Sequence, residues 1–357
     1  MTALFRILAA QIAADGPMGL HDYMAACLLH PRHGYYVTRD PFGQAGDFTT
    51  APEISQMFGE LLGLAVAQSW LDQGAPSAMV LAEIGPGRGT LMADILRAIA
   101  KVPGMRAAAS VHLIEASPTL RKIQAERLRH AHVTWHDSLD TLPQAPLFLV
   151  ANEFFDALPI RQFERAPDGW SERRVGLDAG KLAFGLTPAA PYPGLERRLA
   201  DTRSGDVVEI CPALPIMATQ IARRVASCGG VAYIIDYGGW HSLGDTFQAL
   251  RNHHPVDPLA TPGAADLTAH VDFEALASAF RTAGAACTAM TSQGQFLQRL
   301  GIDARTEVLG RSLSGPALAS HRAAYHRLTG PAEMGELFKV IACHPATSAI
   351  PPGLDPA

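Results

Sequence analysis

No two of the five cysteines in this 357-residue chain stand close together; they fall at positions 27, 211, 228, 287 and 343, without a Cys-x-x-Cys pair. Neither a disulfide framework nor a thiolate zinc site is indicated, and a reducing compartment suits such a chain. Long apolar runs are also missing, since no window approaches the roughly 18–20 apolar residues that a membrane-spanning helix needs. The stretch from Thr2 to Ala14 holds a single arginine and no processing site, so it reads as an amphipathic helix rather than a signal or transit peptide. An excess of positive charge is absent as well: 29 Lys and Arg against 34 Asp and Glu leave a net charge of −5. That balance gives no global reason to bind nucleic acid or an anionic membrane. What is present, 48% hydrophobic and 18% charged residues, can bury one large core or two modest ones.

The chain opens with two helical stretches, at about 2–14 and 19–29, followed by a loop from Asp40 to Pro52. Apolar residues then recur at helical spacing through 53–72 (Ile54, Met57, Phe58, Leu61, Leu62, Ala65, Trp70). From Met79 the pattern changes to strands at 79–83, 111–115, 132–135 and 147–151 alternating with helices at 90–100 and 117–129. Such alternation is the mark of a mostly parallel sheet. Two stretches interrupt it, near 158–205 and 237–271; the first contains hairpin-like turns at Asp168-Gly169 and Asp178-Ala179-Gly180. The expected architecture is an α/β, Rossmann-like doubly wound sheet over 76–344 with these two insertions. A helical N-terminal region, 1–75, precedes the sheet, and the proline-rich tail 345–357 is expected to be disordered.

The first strand, Val80-Leu81-Ala82-Glu83-Ile84, runs into Gly85-Pro86-Gly87-Arg88-Gly89-Thr90. Glycines at 85, 87 and 89 permit a sharp turn and a close approach of backbone to ligand, and the N–H groups opening the next helix face that ligand. A dinucleotide fingerprint needs glycine where Thr90 stands. Glu83, two residues before the first glycine, would repel a pyrophosphate but suits an ammonium group. S-adenosylmethionine is therefore favoured over NAD. Downstream, Glu115 ends the second strand, where it is positioned for ribose hydroxyls, the alternative being a helix cap. Asp137 ends the third strand and is either a partner of the adenine amine or a solvated loop acid. Asp47, together with Phe48, precedes the helix cap at Thr50 and is placed as a closure over the cofactor.

Asn152-Glu153-Phe154-Phe155-Asp156 follows the fourth strand, the usual place for catalytic groups in such a sheet. Two carboxylates beside paired aromatics suit a planar cation, although Asn152 and Asp156 could simply cap a turn. Tyr237, after Asp236 at the end of a fifth apolar strand (230–236), lines the substrate channel or serves the core. The histidine-rich second insertion (His253, His254, His270) lacks spaced ligand pairs, so no metal is expected, and no Gly-x-Ser-x-Gly is present.

Several blocks together resemble the MidA-like family of S-adenosylmethionine-dependent methyltransferases. They are His30-Pro31 through Tyr36, Gly46 through Glu53, Glu83 through Gly89, Glu115 through Pro118, Asn152 through Pro159, Asp236 through Gly238, Asp266 through Phe273, and Gly335 through Val340. The resemblance implies a class I methyltransferase sheet closed by an antiparallel strand at 338–343, with the helical N-terminal region 1–75 covering the cofactor site. It also implies a protein arginine as acceptor and symmetric dimethylation, by analogy with mitochondrial members that assemble respiratory complex I. On that reading Glu153, Asp156 and Asn152 are catalytic, and Glu83, Gly85, Gly87, Gly89, Glu115, Asp137 and Asp47 bind the cofactor. Phe154, Phe155 and Tyr237 contact the substrate. A protein partner, a cytoplasmic location in a bacterium, no nucleic acid and no membrane insertion complete the expectation. Its rivals are a non-catalytic S-adenosylmethionine-binding scaffold and a small-molecule methyltransferase.

Overall fold

A computed structural model describes residues 2–38 and 49–357. The chain divides into two compact units: a sheet unit of Thr49–Phe155, Pro215–Trp240 and Phe273–Ala357, and an insertion unit of Met1–Phe48, Asp156–Leu214 and His241–Asp272.

The sheet unit begins with the short helix Ala51–Ile54 and then α1 (Gln56–Asp72), β1 (Met79–Ile84), α2 (Thr90–Ile99), β2 (Ala109–Ile114), α3 (Pro118–Arg127), β3 (Val133–His136) and β4 (Leu147–Asn152). It continues through β5 (Gly230–Gly239), β6 (Ala286–Cys287) and β7 (Phe338–His344). The strands lie in the order β3-β2-β1-β4-β5-β7-β6. The first five pair in parallel, as in Ile84↔Ile114, Ile84↔Ala151 and Ile235↔Asn152, whereas β7 runs antiparallel to β5 through Ala232↔Cys343. β1 and β4 are buried at every position, as their continuous apolar runs require of strands covered on both faces. Phe58, Leu62 and Val66 of α1 and Ile95 and Ile99 of α2 join Leu81, Phe148 and Tyr233 of the sheet in one core. The order reverses between β1 and β4, and at such a switch point the loops leave a crevice at the carboxyl ends of the strands.

The helix expected over 53–72 is interrupted at Ser55, which is extended (φ −159°, ψ 137°) and caps α1 by accepting from Met57 N. Serine at that point competes with the helical backbone for the same hydrogen bond. Both pieces belong to the sheet unit. The tail is a second correction. Leu354 enters the core of the sheet unit, Ala289 N donates to Asp355 O at 2.9 Å, and Arg299 pairs with Asp355 at 2.8 Å. A disordered assignment from proline content misses that one leucine and one aspartate can anchor a short tail.

In the insertion unit, strands Arg161–Ala166, Gly169–Asp178, Lys181–Leu186 and Val207–Ile210 form an antiparallel sheet with Met18–Gly19. Both expected hairpins are present, and Ala179 and Gly180 take φ of 46° and 76°, the left-handed pair that a tight two-residue turn demands. Leu4, Leu8, Ile12, Tyr23 and Met24 from helices Ala3–Asp15 and Leu20–Leu29 pack with Ile160, Val175 and Leu267. Residues 237–271 also hold a small sheet of Gln248–Arg251, His254–Val256 and Asp266–Thr268, invisible in a stretch so rich in turn formers. Among the described residues no helix is long and apolar enough to cross a membrane.

Candidate active site

The carboxyl ends of β1, β2, β4 and β5 carry most of the acids singled out by the sequence. Glu83 stands one residue before the end of β1 and is 3% exposed. Burial, reinforced by the nearby charges of Asp94 and Glu115 and resisted by a hydrogen bond from Met92 N, raises its pKa from the ordinary 4.5 to about 8. Its Oε2 is buried with no hydrogen-bond partner. A carboxyl held in this way is incomplete in the protein alone, because an unsatisfied buried oxygen costs about 1–3 kcal/mol. A cation beside it would restore the charged form.

The loop that follows has Gly85, Gly87 and Gly89 all in the left-handed region, with φ of 63°, 50° and 77°. Gly85 is doubly constrained, since a Cβ there would also lie 2.7 Å from Phe154 Cδ2. Gly89 caps α2, its carbonyl accepting from Ala93 N at 3.1 Å. Thr90, the residue that breaks the dinucleotide spacing, donates its hydroxyl to Glu53 Oε1.

Glu115 is also buried, and burial raises its pKa despite donors on both oxygens: Ser117 N to Oε1 at 2.7 Å and Gln124 Nε2 to Oε2 at 3.1 Å. Ser117 supplies the cap of α3 by accepting from Leu120 N, so the cap role is already filled. Gln124 went unnoticed in the sequence. Fully buried, it donates to Gly87 O at 2.8 Å as well as to Glu115, and accepts from Trp135 Nε1 at 2.8 Å, thereby tying the glycine loop to β2 and β3. Asp137 stands apart from this arrangement, exposed and paired with Arg121 at 2.5 Å. Asp47 and Phe48 lie outside the described residues.

At the end of β4, Glu153 takes a left-handed φ of 51°, uncommon for a residue with a side chain, while its N–H still donates to Ile235 O. Its Oε1 accepts from Asn152 Nδ2 at 3.0 Å and from Ala51 N at 2.9 Å. The carboxylate thus supplies the N-terminal hydrogen bond of helix Ala51–Ile54 that Thr50 does not make. Asp236 was also missed as a site residue. With no exposure at all, it accepts from Phe154 N and Phe155 N through Oδ2 at 3.1 and 2.9 Å and from Tyr237 N through Oδ1 at 3.0 Å. A single carboxylate therefore fixes both the 153–155 turn and the backbone of β5 at Tyr237.

Phe154 and Phe155 meet edge to face with centroids 5.4 Å apart, but Phe155 is 2% exposed and serves as a wall behind Phe154. Tyr237 packs edge-on against Phe338 of β7. Asp156 belongs to the insertion unit, where its carbonyl accepts from Ala269 N at 3.0 Å. The expected groups therefore sort into a cradle around the glycine loop (Glu83, the three glycines, Glu115), an adjoining turn (Asn152, Glu153, Phe154) and outliers. Among the described residues no three acidic, histidine or cysteine side chains gather as a metal site.

A sequence profile of S-adenosyl-L-methionine-dependent methyltransferases matches residues 61–291, which carry the cradle and the turn. The chain belongs to this family. The mitochondrial protein arginine methyltransferase NDUFAF7 of Danio rerio is 37% identical to the methyltransferase over 94% of its chain and 86% of the relative. The Homo sapiens protein of the same name is 36% identical over 97% and 84%. A crystal structure of a superfamily member from Burkholderia thailandensis, bound to S-adenosyl-homocysteine, superposes with a TM-score of 0.83 at 32% identity, covering 99% of this chain and 93% of that one. The methyltransferase accordingly uses S-adenosylmethionine, and its residues fit that ligand. The unpartnered Oε2 of Glu83 and the glycine loop with its helix N-terminus offer the two things such a molecule needs, an acceptor for its ammonium and an open backbone surface.

Proposed function

We propose that the protein methylates the guanidinium group of an arginine in a protein partner. The observation that carries this reading is the fixed carboxylate of Glu153 at the end of β4, next in the sheet to β1, whose Glu83 we assign to the ammonium end of the donor. Glu115 is assigned to the ribose and the glycine loop to the remainder, with Asp137 retained at most as a peripheral contact. The names of the relatives support arginine as the acceptor.

Bound S-adenosylmethionine supplies an electrophilic methyl on a sulfonium, and its displacement needs no metal. The protein has to align the acceptor and exclude water. Glu153 would hold the planar guanidinium by charge-assisted hydrogen bonds and take up the proton that leaves as the N–C bond forms. Asn152 fixes the Glu153 carboxylate, Phe154 contributes an apolar wall, and Asp236 holds the backbone of the turn. A subunit of respiratory complex I is the partner to test first, with symmetric dimethylarginine as product, and a bacterial cytoplasm is the proposed location.

The test is transfer of labelled methyl from S-adenosylmethionine into an extract of a strain lacking the gene, followed by mass spectrometry of the labelled species. Methylarginine in one protein band is expected. Label confined to low-mass material would replace this reading with a small-molecule acceptor, and no enzyme-dependent label would leave a scaffold.

A further inference from the structure

The antiparallel sheet of the insertion unit ends in a strand with an open edge. Lys181–Leu186 pairs with Gly169–Asp178 and, among the described residues, with no other strand. Asp178↔Lys181 closes the two-residue turn, so Lys181, Ala183 and Gly185 direct their backbone groups into the hairpin. The bond from Thr187 N to Glu172 O continues the same alternation. Leu182, Phe184 and Leu186 therefore turn their N–H and C=O groups outward from the sheet. Gly185 leaves room beside them, since a Cβ there would meet nothing within 4 Å.

The side chains of these outward residues are apolar and only partly covered. The pairings Val175↔Phe184 and Leu177↔Leu182 put them on one face of the hairpin. Phe184 meets Phe247 edge to face and carries the Arg173 guanidinium 5.4 Å from its ring centre, yet it is 40% exposed. Leu186 and Leu177 on the same face are 49% and 39% exposed. Sheet edges are ordinarily blunted by proline, a bulge or charges along the strand. Here Lys181 stands at the start, and Leu182 to Leu186 contain neither proline nor charge in an unbroken register. Such an edge is a template for another strand.

We propose that the strand Lys181–Leu186 joins two copies of this chain, pairing antiparallel with itself about a two-fold axis at Phe184. A second copy is the fitting occupant because the strand is complementary to itself in this register. Phe184 faces Phe184, Leu182 faces Leu186 and Ala183 faces Gly185, so apolar meets apolar and small meets small. Lys181 lies between its own Asp178 and Thr187 of the second copy, with Glu172 on the strand beyond, so no like charges meet. Every outward N–H and C=O of Leu182, Phe184 and Leu186 gains a partner. A slip of two residues would instead set Leu186 against Gly180 of the turn, or Leu182 against Pro188, which has no N–H. An interface one strand wide falls at the small end of specific contacts, below about 1,200 Å² in total, so the dimer should depend on concentration. The inference is independent of the identity of the methyl acceptor.

The experiment is sedimentation equilibrium of the full chain from low micromolar to submillimolar concentration, with amide hydrogen exchange at both ends of the range. Wild type should show a reversible monomer–dimer equilibrium, with Leu182, Phe184 and Leu186 amides protected only at the high end. Leu186→Pro removes an outward N–H without breaking the hairpin ladder, and the two-fold axis repeats the loss. It should weaken the dimer by about tenfold or more. Phe184→Lys and Phe184→Glu each place like charges face to face on the axis and should weaken self-association by about threefold or more. An equimolar mixture of the two should restore it, which misfolded chains would not do. S-adenosylhomocysteine affinity should remain at the wild-type value in all three variants. A wild type that stays monomeric at submillimolar concentration with freely exchanging edge amides would overturn the second copy and leave the edge to a strand of another protein. Equal dimer dissociation constants for wild type and all three variants would also overturn it, as would a mixture that associates no better than either Phe184 variant alone.

Discussion

The donor cradle after β1 and the turn after β4 lie on neighbouring strands, yet they hold their carboxyl groups in contrasting ways. Glu83 is kept under-bonded, buried and protonated, with one oxygen lacking any partner. Glu153 is over-determined, its Oε1 fixed by a side-chain amide and a helix N-terminus and its backbone held in a left-handed conformation. The difference suits two tasks. On the proposed function, a site that receives a whole small molecule can leave an acceptor bare, whereas one that must aim one nitrogen of a mobile arginine gains from a carboxylate already in place.

Gly85→Ala breaks the contrast most strongly, because it strains the cradle and strikes Phe154 of the turn at the same time. A left-handed φ together with a 2.7 Å contact should cost about 2–4 kcal/mol of stability. S-adenosylhomocysteine affinity measured by calorimetry should fall by roughly a hundredfold or more, equivalent to losing much of the cradle geometry. Wild-type affinity would show that the loop tolerates a side chain and that its glycines do not form the cradle.

Glu153→Gln should separate the two regions cleanly. Turnover is expected to drop by about 10²-fold or more, in the range for a general base, with cofactor affinity nearly unchanged. Unchanged turnover would remove Glu153 from the mechanism. Asp236→Asn acts one step further back: its amide cannot accept from three N–H groups as the carboxylate does, so the turn should loosen by about 1–3 kcal/mol. Turnover should decline with little change in cofactor affinity, and an equal loss of both would mean that the turn and the cradle are one structural unit.

How legible each region was follows from the range of its contacts. The glycine loop is a local device, written in eleven consecutive residues, and the β-α alternation that positions it is local too. The supports of the turn are distant: Ala51 N is 102 positions before Glu153, and Asp236 lies 82 and 81 positions beyond the two N–H groups it accepts from. Gln124 is equally silent in sequence, since a glutamine within a helix has no signature until the strand and loop it bridges are in place. The tail failed for the same reason, as its anchoring partners belong to helices and strands far from it in the chain.

The cradle also leaves a mark on stability against pH. Folded Glu83 keeps its proton up to about 8, whereas the unfolded chain releases it near 4.5. The unfolded state therefore binds fewer protons between those values, and the stabilising contribution, complete below 4.5, is lost as pH rises toward 8. Glu83→Gln should flatten this part of the profile for the free protein in urea denaturation at successive pH values. A profile identical to wild type would show that Glu83 titrates normally.

Calorimetry of S-adenosylhomocysteine binding at pH 7, in buffers of different ionisation enthalpy, tests most directly whether Glu83 receives the ammonium of the ligand. With its carboxyl at about 8 in the free protein and ionised beside a cation, binding should release close to one proton, and Glu83→Gln should abolish that release. A wild-type enthalpy that does not vary with buffer, or the same proton release in the variant, would contradict the account.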